Sequence, residues 1–222
     1  MENKTKQLTF KVKGTGDEIT LKNFHAFVAG YTGRDTAAVQ QHIDELAEIG
    51  VPAPKEIPTF YSVTQDHYDT SGKISKDENL TSGEVEPVYI RHAGKIYLGV
   101  GSDHTDRDLE TEDIAASKLA CAKPVSYQVI AVDDISSLSL DECTARSWVD
   151  NLLYQEGKLS GLRTPKNVVD LLIERTDVGD DDFICLGGTL PLLEKKFKSG
   201  GAWRVQLELP NGEILEHTYT VN

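Results

Sequence analysis

The chain has 222 residues, 39% of them apolar, and a formal charge of −13 at pH 7, so it is long enough to bury a substantial core. The charge argues against nucleic acid or an anionic membrane as partner, because either polyanion is repelled before a specific contact forms. Cations and small molecules are the expected ligands. The opening MENKTKQLTFKVKG lacks the apolar stretch of a signal peptide, and no apolar run approaches bilayer length, which reads as a cytoplasmic protein. The three cysteines, Cys121, Cys143 and Cys185, are widely spaced without a Cys-x-x-Cys pair, and suggest buried thiols rather than a disulfide framework or a zinc site.

In chain order, LTFKVKG and EITL alternate like half-buried strands, with Gly14 and Gly16 between them as turn residues. RDTAAVQQHIDELAEIGVPAP carries Val39, Ile43, Leu46 and Ala47 at helical spacing, with Asp35 to cap its start and Gly50, Pro52 and Pro54 to end it. SVTQDHYDTSGKISKDENLTSG is polar and without sustained period, the pattern of a surface loop. EVEPVYIRHAGKIYLGVG reads as two strands joined at Ala93–Gly94. TEDIAASKLACA suits a short helix, VSYQVIAVDD a strand, and TPKNVVDLLIERT a helix capped by Thr164 with Pro165 in its first turn. FICLGG, AWRVQLEL and EILEHTYTV are further strands, the last two joined at Pro210-Asn211-Gly212. Many strands with few helices predict a mainly β, α+β fold. Residues 1–60 read as a strand-hairpin and helix region and 61–222 as the region that carries the acidic stretch, together one compact unit with any boundary placed only loosely after the first helix.

The acidic stretch GSDHTDRDLE follows directly on the strand KIYLGV. Upstream, Glu84 and Glu86 lie two apart in a strand and project to one face. Asp103 enters at the end of the partner strand. Carboxylates held this close need cationic partners or a bound metal, and an oxygen-only set of Glu84, Glu86 and Asp103 suits Mg²⁺ or Mn²⁺, with Ca²⁺ next, better than zinc. The competing reading is a solvated acidic strand face. His104, between two acids, is a candidate base as well as a structural hydrogen bonder. The stretch is not an EF-hand loop, since Asp108 stands where the turn glycine belongs and Arg107 replaces an oxygen ligand; Arg107 and Asp108 are expected to pair with each other or to brace the loop.

SDHTDRDLE resembles the NDVSARDLQ signature of the fumarylacetoacetate hydrolase superfamily, with the upstream Glu-x-Glu in its place. YQEGKLSGL is similar to RQDGNTSDM of that superfamily, and LGGTLPLLEKKFKSGGAWRVQLELPNGEILEHTY to its terminal GTPAGVG region. More closely, the whole chain resembles a bacterial family of about this length, a remote relative of that superfamily, through AGYTGRDTAAVQQHIDELAEIGVP and GSDHTDRDLE; that nearer resemblance brings no reaction with it. The superfamily resemblance implies a β-roll with peripheral helices, a homodimer, and a metal triad of Glu84, Glu86 and Asp103. It implies an active-site lysine, Lys118 or Lys123, and substrate contacts at Tyr61, Gln155, Gly188 and Thr189. It also implies a metal-dependent hydrolase or lyase that acts on a small 2-oxo or 1,3-dicarbonyl carboxylic acid through an enolate. The water-activating segment GLNY-x-x-HA-x-E has no clean counterpart; IPTFYSVTQDHYD is set in its place, with Tyr61 as the match and Asp66 or His67 as stand-ins. That gap keeps open the alternative of a non-catalytic protein that binds a metal and a small acid.

Overall fold

The first hairpin forms because apolar residues alternate in both of its arms. β1 (Leu8–Val12) and β2 (Glu18–Leu21) pair antiparallel with Phe10 opposite Ile19. The computed structural model describes residues 6–48, 52–75 and 80–222. β3 (His25–Gly30) then leads through a turn into α1 (Thr36–Glu48), which Asp35 caps by accepting from the Ala37 and Ala38 amides. The expected end of this helix at Gly50 lies outside the described residues. β4 (Thr59–Val63) follows, and its last residues belong to the stretch expected to be loop.

β5 (Val85–His92) and β6 (Lys95–Ser102) form the expected hairpin, turning at Ala93 and Gly94, both at positive φ, as a two-residue turn that matches strand twist requires. After it come a single turn, α2 (Arg107–Glu110), and α3 (Ile114–Ala120), capped by Asp106 and Asp113. β7 (Gln128–Val132) and then an unforeseen hairpin follow, β8 (Thr144–Val149) with β9 (Leu152–Lys158), turning at Asp150 and Asn151 with positive φ. α4 (Pro165–Arg175) is capped by Thr164, as its sequence predicts. β10 (Phe183–Leu186), β11 (Ala202–Glu208) and β12 (Ile214–Val221) complete the chain.

An eight-stranded mixed sheet runs in the order β2-β1-β7-β6-β5-β10-β3-β4; a second sheet runs β9-β8-β11-β12 and ends on a two-residue strand at Lys73–Ile74. Strands from residues 1–60 and from residues 61–222 therefore lie side by side in one sheet. β5 is buried along nearly its whole length because both of its faces are covered. Val85 and Tyr89 enter the core shared with the second sheet and α4, whereas Val88 and Ile90 enter a second core with Val28, Tyr68, Val125 and Leu186. Glu84 and Glu86 share the parity of Val88 and Ile90, so the acidic pair stands at the end of the second core. The fold is mainly β, with helices at its edges.

Candidate carboxylate and metal site

The β5–β6 register sets Val85 opposite Ser102 and Glu86 opposite Gly101, and the Asp103 amide donates to the Glu84 carbonyl at 3.0 Å. Glu84, Glu86 and Asp103 thus meet at one end of the hairpin. Each carboxylate has its own partner. Glu84 pairs with Arg107 at 3.1 Å, and Arg107 also binds Glu110 at 2.8 Å, donates to Ser82 Oγ and lies 4.1 Å from the centre of the Phe197 ring. Asp103 takes Lys118 on one oxygen and Lys123, at 3.0 Å, on the other. Glu86 accepts from the Gly188 amide at 2.8 Å and, among the described residues, enters no ion pair.

The two lysines left open by the sequence both reach Asp103. Lys118 comes from α3 and keeps a sliver of exposure; Lys123, five residues on, is fully buried and also donates to the His104 carbonyl at 2.6 Å. Burial alone would raise the Asp103 pKa, but the two ammonium groups outweigh it and hold it well below the usual carboxylate range. Lys118 is raised by Asp103 against its burial, whereas burial and the repulsion of Lys118 leave Lys123 lowered. Glu86 is pushed well above its ordinary value by burial and by the like charge of Asp103, and Glu84 is raised by burial against Arg107.

The remaining candidates divide. Tyr61 lies beside Lys118, whose Nζ is 5.7 Å from its ring centre. Gln155 is buried, accepting from the Val85 amide and from Ser147 and donating to Thr189 and the Leu190 carbonyl. The Thr189 hydroxyl donates to the Val85 carbonyl at 2.8 Å. Gln155 therefore braces the Gly188–Thr189 turn, with both its donors engaged. His104 is turned away from the carboxylates: its ring nitrogens bond to Tyr219 and Thr81, Trp203 packs edge-on against it, and burial with the nearby Lys123 takes its pKa down to about 3. Both ring nitrogens of His104 are thus engaged with hydroxyl groups. His67, a stand-in for the water-activating histidine, bonds Thr64 with one nitrogen and the Leu119 carbonyl with the other; Asp66 is exposed. Of the two expectations for Arg107 and Asp108, the structure takes the second: among the described residues they do not pair with each other but brace the loop, Asp108 accepting from the Leu80 amide and the Arg107 amide donating to the Leu80 carbonyl. The role of Arg107 on Glu84 was not read from the sequence, and only the RDLE spacing, which sets Glu110 one turn from Arg107, offered a signal.

As the side chains stand, no group of three His, Cys, Asp or Glu among the described residues is arranged to hold a metal ion. The donor chemistry nevertheless fits a hard divalent cation. Four carboxylates (Glu84, Glu86, Asp103 and Glu110) gather with three cationic groups (Arg107, Lys118 and Lys123). Of the four carboxylates Glu86 is the one without an ion pair among the described residues, and a cation there would lower the cost of burying its charged form.

Two sheets wrapped into a roll, with an acidic hairpin end facing a Gly-Thr turn, define a protein of the fumarylacetoacetate hydrolase-like fold. Solved structures share it: a fumarylpyruvate hydrolase from Pseudomonas aeruginosa in complex with Mn²⁺ and pyruvate, at TM-score 0.67 and 15% identity over 96% of this chain and 95% of that one; a candidate fumarylacetoacetate isomerase/hydrolase from Oleispira antarctica, at TM-score 0.66 and 15% identity over 96% and 99%; and a 2-keto-3-deoxy-D-arabinonate dehydratase in apo form, at TM-score 0.58 and 17% identity over 89% and 73%. By sequence, the chain belongs to the family described as protein of unknown function (DUF2848), whose profile matches residues 29–219. A search of curated proteins found no match. Among the described residues, no helix is long and apolar enough to cross a membrane.

Proposed function

We propose that this protein is a divalent-cation-dependent hydrolase or lyase that acts on a small 2-oxo or 1,3-dicarbonyl carboxylic acid through an enolate, with Mg²⁺ or Mn²⁺ held by Glu84, Glu86 and Asp103. The observation that carries this reading is Glu86: a carboxylate 3% exposed, beside Asp103, with no ion-pair partner among the described residues. The fold relatives support the reaction class, one being a fumarylpyruvate hydrolase with Mn²⁺ and pyruvate and another a dehydratase of a 2-keto-3-deoxy sugar acid. Bound at the three carboxylates, the cation would polarise the substrate's oxygens.

The chain's own groups do the rest. Arg107 holds Glu84 and the Gly188 amide holds Glu86, fixing two carboxylates before any ligand arrives. Lys123 anchors Asp103 to the His104 carbonyl. Lys118, the lysine nearer the surface, would set its ammonium where negative charge develops on the substrate, a contact that strengthens as the reaction proceeds. A second reading, a non-catalytic protein binding metal and small acid, is favoured by one observation: both ring nitrogens of His67 are engaged with Thr64 and Leu119, which leaves that histidine no free nitrogen for activating water.

The test is calorimetric titration of chelator-treated protein with MnCl₂, with turnover assays on acylpyruvates, oxaloacetate and 2-oxo-3-deoxy sugar acids, for wild type and Glu86→Gln. Uptake of one Mn²⁺ and Mn²⁺-dependent turnover are expected in wild type, both lost in the variant. Uptake without turnover on any substrate selects the binding-protein reading. No uptake at millimolar Mn²⁺ overturns both.

A further inference from the structure

The peptide that carries Asp103 lies between two pieces of strand. β6 ends at Ser102, and pairing resumes at Thr105, opposite Ser82; in the gap the Asp103 amide donates across the hairpin to the Glu84 carbonyl. Outside the ladder, side chains have to fix the direction in which the carboxylate points. The residues on either side of it reach one and the same atom: the Tyr219 hydroxyl lies 2.8 Å from Ser102 Oγ and 3.0 Å from His104 Nδ1. A phenol carries one proton and can also accept, so it serves both at once. Ser102 Oγ in turn accepts from the Glu84 amide at 3.2 Å, and His104 Nε2 lies 3.1 Å from Thr81 Oγ1. The chain of bonds is satisfied from end to end, the condition under which buried polar groups specify one arrangement.

The hydroxyl is itself held in place. Tyr219 belongs to β12, in the other sheet, is 2% exposed, and stacks on its cross-strand partner Trp203 and on His217, each with ring centres 6.2 Å away. Gly83 makes room for it, since a Cβ there would lie 2.2 Å from Tyr219 Oη and 2.5 Å from Ser102 Oγ. We propose that Tyr219 is a positioning residue of the acidic site, its hydroxyl clipping Ser102 to His104 so that the Asp103 carboxylate between them is aimed at the two lysines and at the cation. For the cation this rests on the reading of Asp103 as its ligand; the lysine contacts stand without metal. Groups that orient a ligand in this way matter to affinity, because a carboxylate free to turn has to be ordered when the metal binds.

The test compares wild type, Tyr219→Phe, Asp103→Asn and the double variant as full chains. Tyr219→Phe keeps the stacked ring and loses the hydroxyl. Titrated with MnCl₂ below the unfolding range, it is expected to bind Mn²⁺ about tenfold more weakly than wild type, a loss that a merely structural hydroxyl, which lowers Tm and leaves the folded site intact, does not produce. In chelator-containing buffer Tyr219→Phe is expected to lower Tm less in the Asp103→Asn background than in wild type, because the ion pairs it aligns are already broken there. Ser102→Ala frees one arm of the clip and keeps the tyrosine, and gives the same readouts if the phenylalanine variant folds poorly. Mn²⁺ affinity equal to that of wild type overturns the proposal and leaves the metal reading standing. If wild type takes up no Mn²⁺, the metal reading falls and the Tm cycle decides: a smaller loss in the Asp103→Asn background keeps the proposal, and losses that simply add overturn it.

Discussion

Asp103→Asn separates the structural work of this carboxylate from its chemical work. In the wild type one carboxylate pairs with two ammonium groups, Lys123 at 0% side-chain exposure and Lys118 at 8%. Asparagine keeps the shape and an accepting oxygen but removes the charge, stranding both lysines against each other in a buried place. Removing one partner of a buried ion pair costs about 3–5 kcal/mol. For a chain of this length, where 1 kcal/mol shifts Tm by about 2–4 °C, the expected fall is about 6–20 °C. Thermal unfolding followed by circular dichroism in chelator-containing buffer measures it without any contribution from bound metal. Lys123→Met in the Asp103→Asn background removes one stranded charge and is expected to recover part of the loss, giving a double variant more stable than Asp103→Asn alone. A Tm for Asp103→Asn within about 2 °C of wild type, or a double variant whose losses simply add, would refute the two-lysine account.

Two further expectations concern other parts of the fold. Burial, partly offset by Asp69, takes the pKa of His217 down to about 4, and its Nε2 is buried without a hydrogen-bond partner among the described residues. The unfolded chain binds this proton first, so between about pH 6.5 and 4 the group removes about 1.4 kcal/mol of stability per pH unit; His217→Phe is expected to flatten urea midpoints against pH by that slope, and parallel curves would count against it. Gly188 sits at φ +102 with Thr32 Oγ1 1.7 Å from where a Cβ would lie. Gly188→Ala is therefore expected to cost on the order of 3 kcal/mol in urea unfolding through strain and displacement of Thr32, and an unchanged midpoint would show that the turn yields freely.

The sequence by itself determined the local pieces, because their causes are local. Period-two alternation set Glu84 and Glu86 on one face of a strand, Ala93–Gly94 and Asn211–Gly212 supplied turns that accept positive φ, and Asp35 and Thr164 capped helices whose apolar spacing was already visible. The Asp150–Asn151 turn was legible on the same grounds, yet the hairpin it joins went unread. Tertiary structure decided whatever depends on pairing distant segments. No local pattern inserts β3 between β10 and β4, so Thr32, just after β3, could not be foreseen beside Gly188, more than a hundred residues away. The sequence could not choose between Lys118 and Lys123, because α3 and the two-residue strand that follows it bring both onto Asp103 from different directions. Likewise Arg107 turns to Glu84 rather than Asp108 because its guanidinium is buried against Ser82 and Phe197, and a buried cation takes the carboxylate that is buried with it.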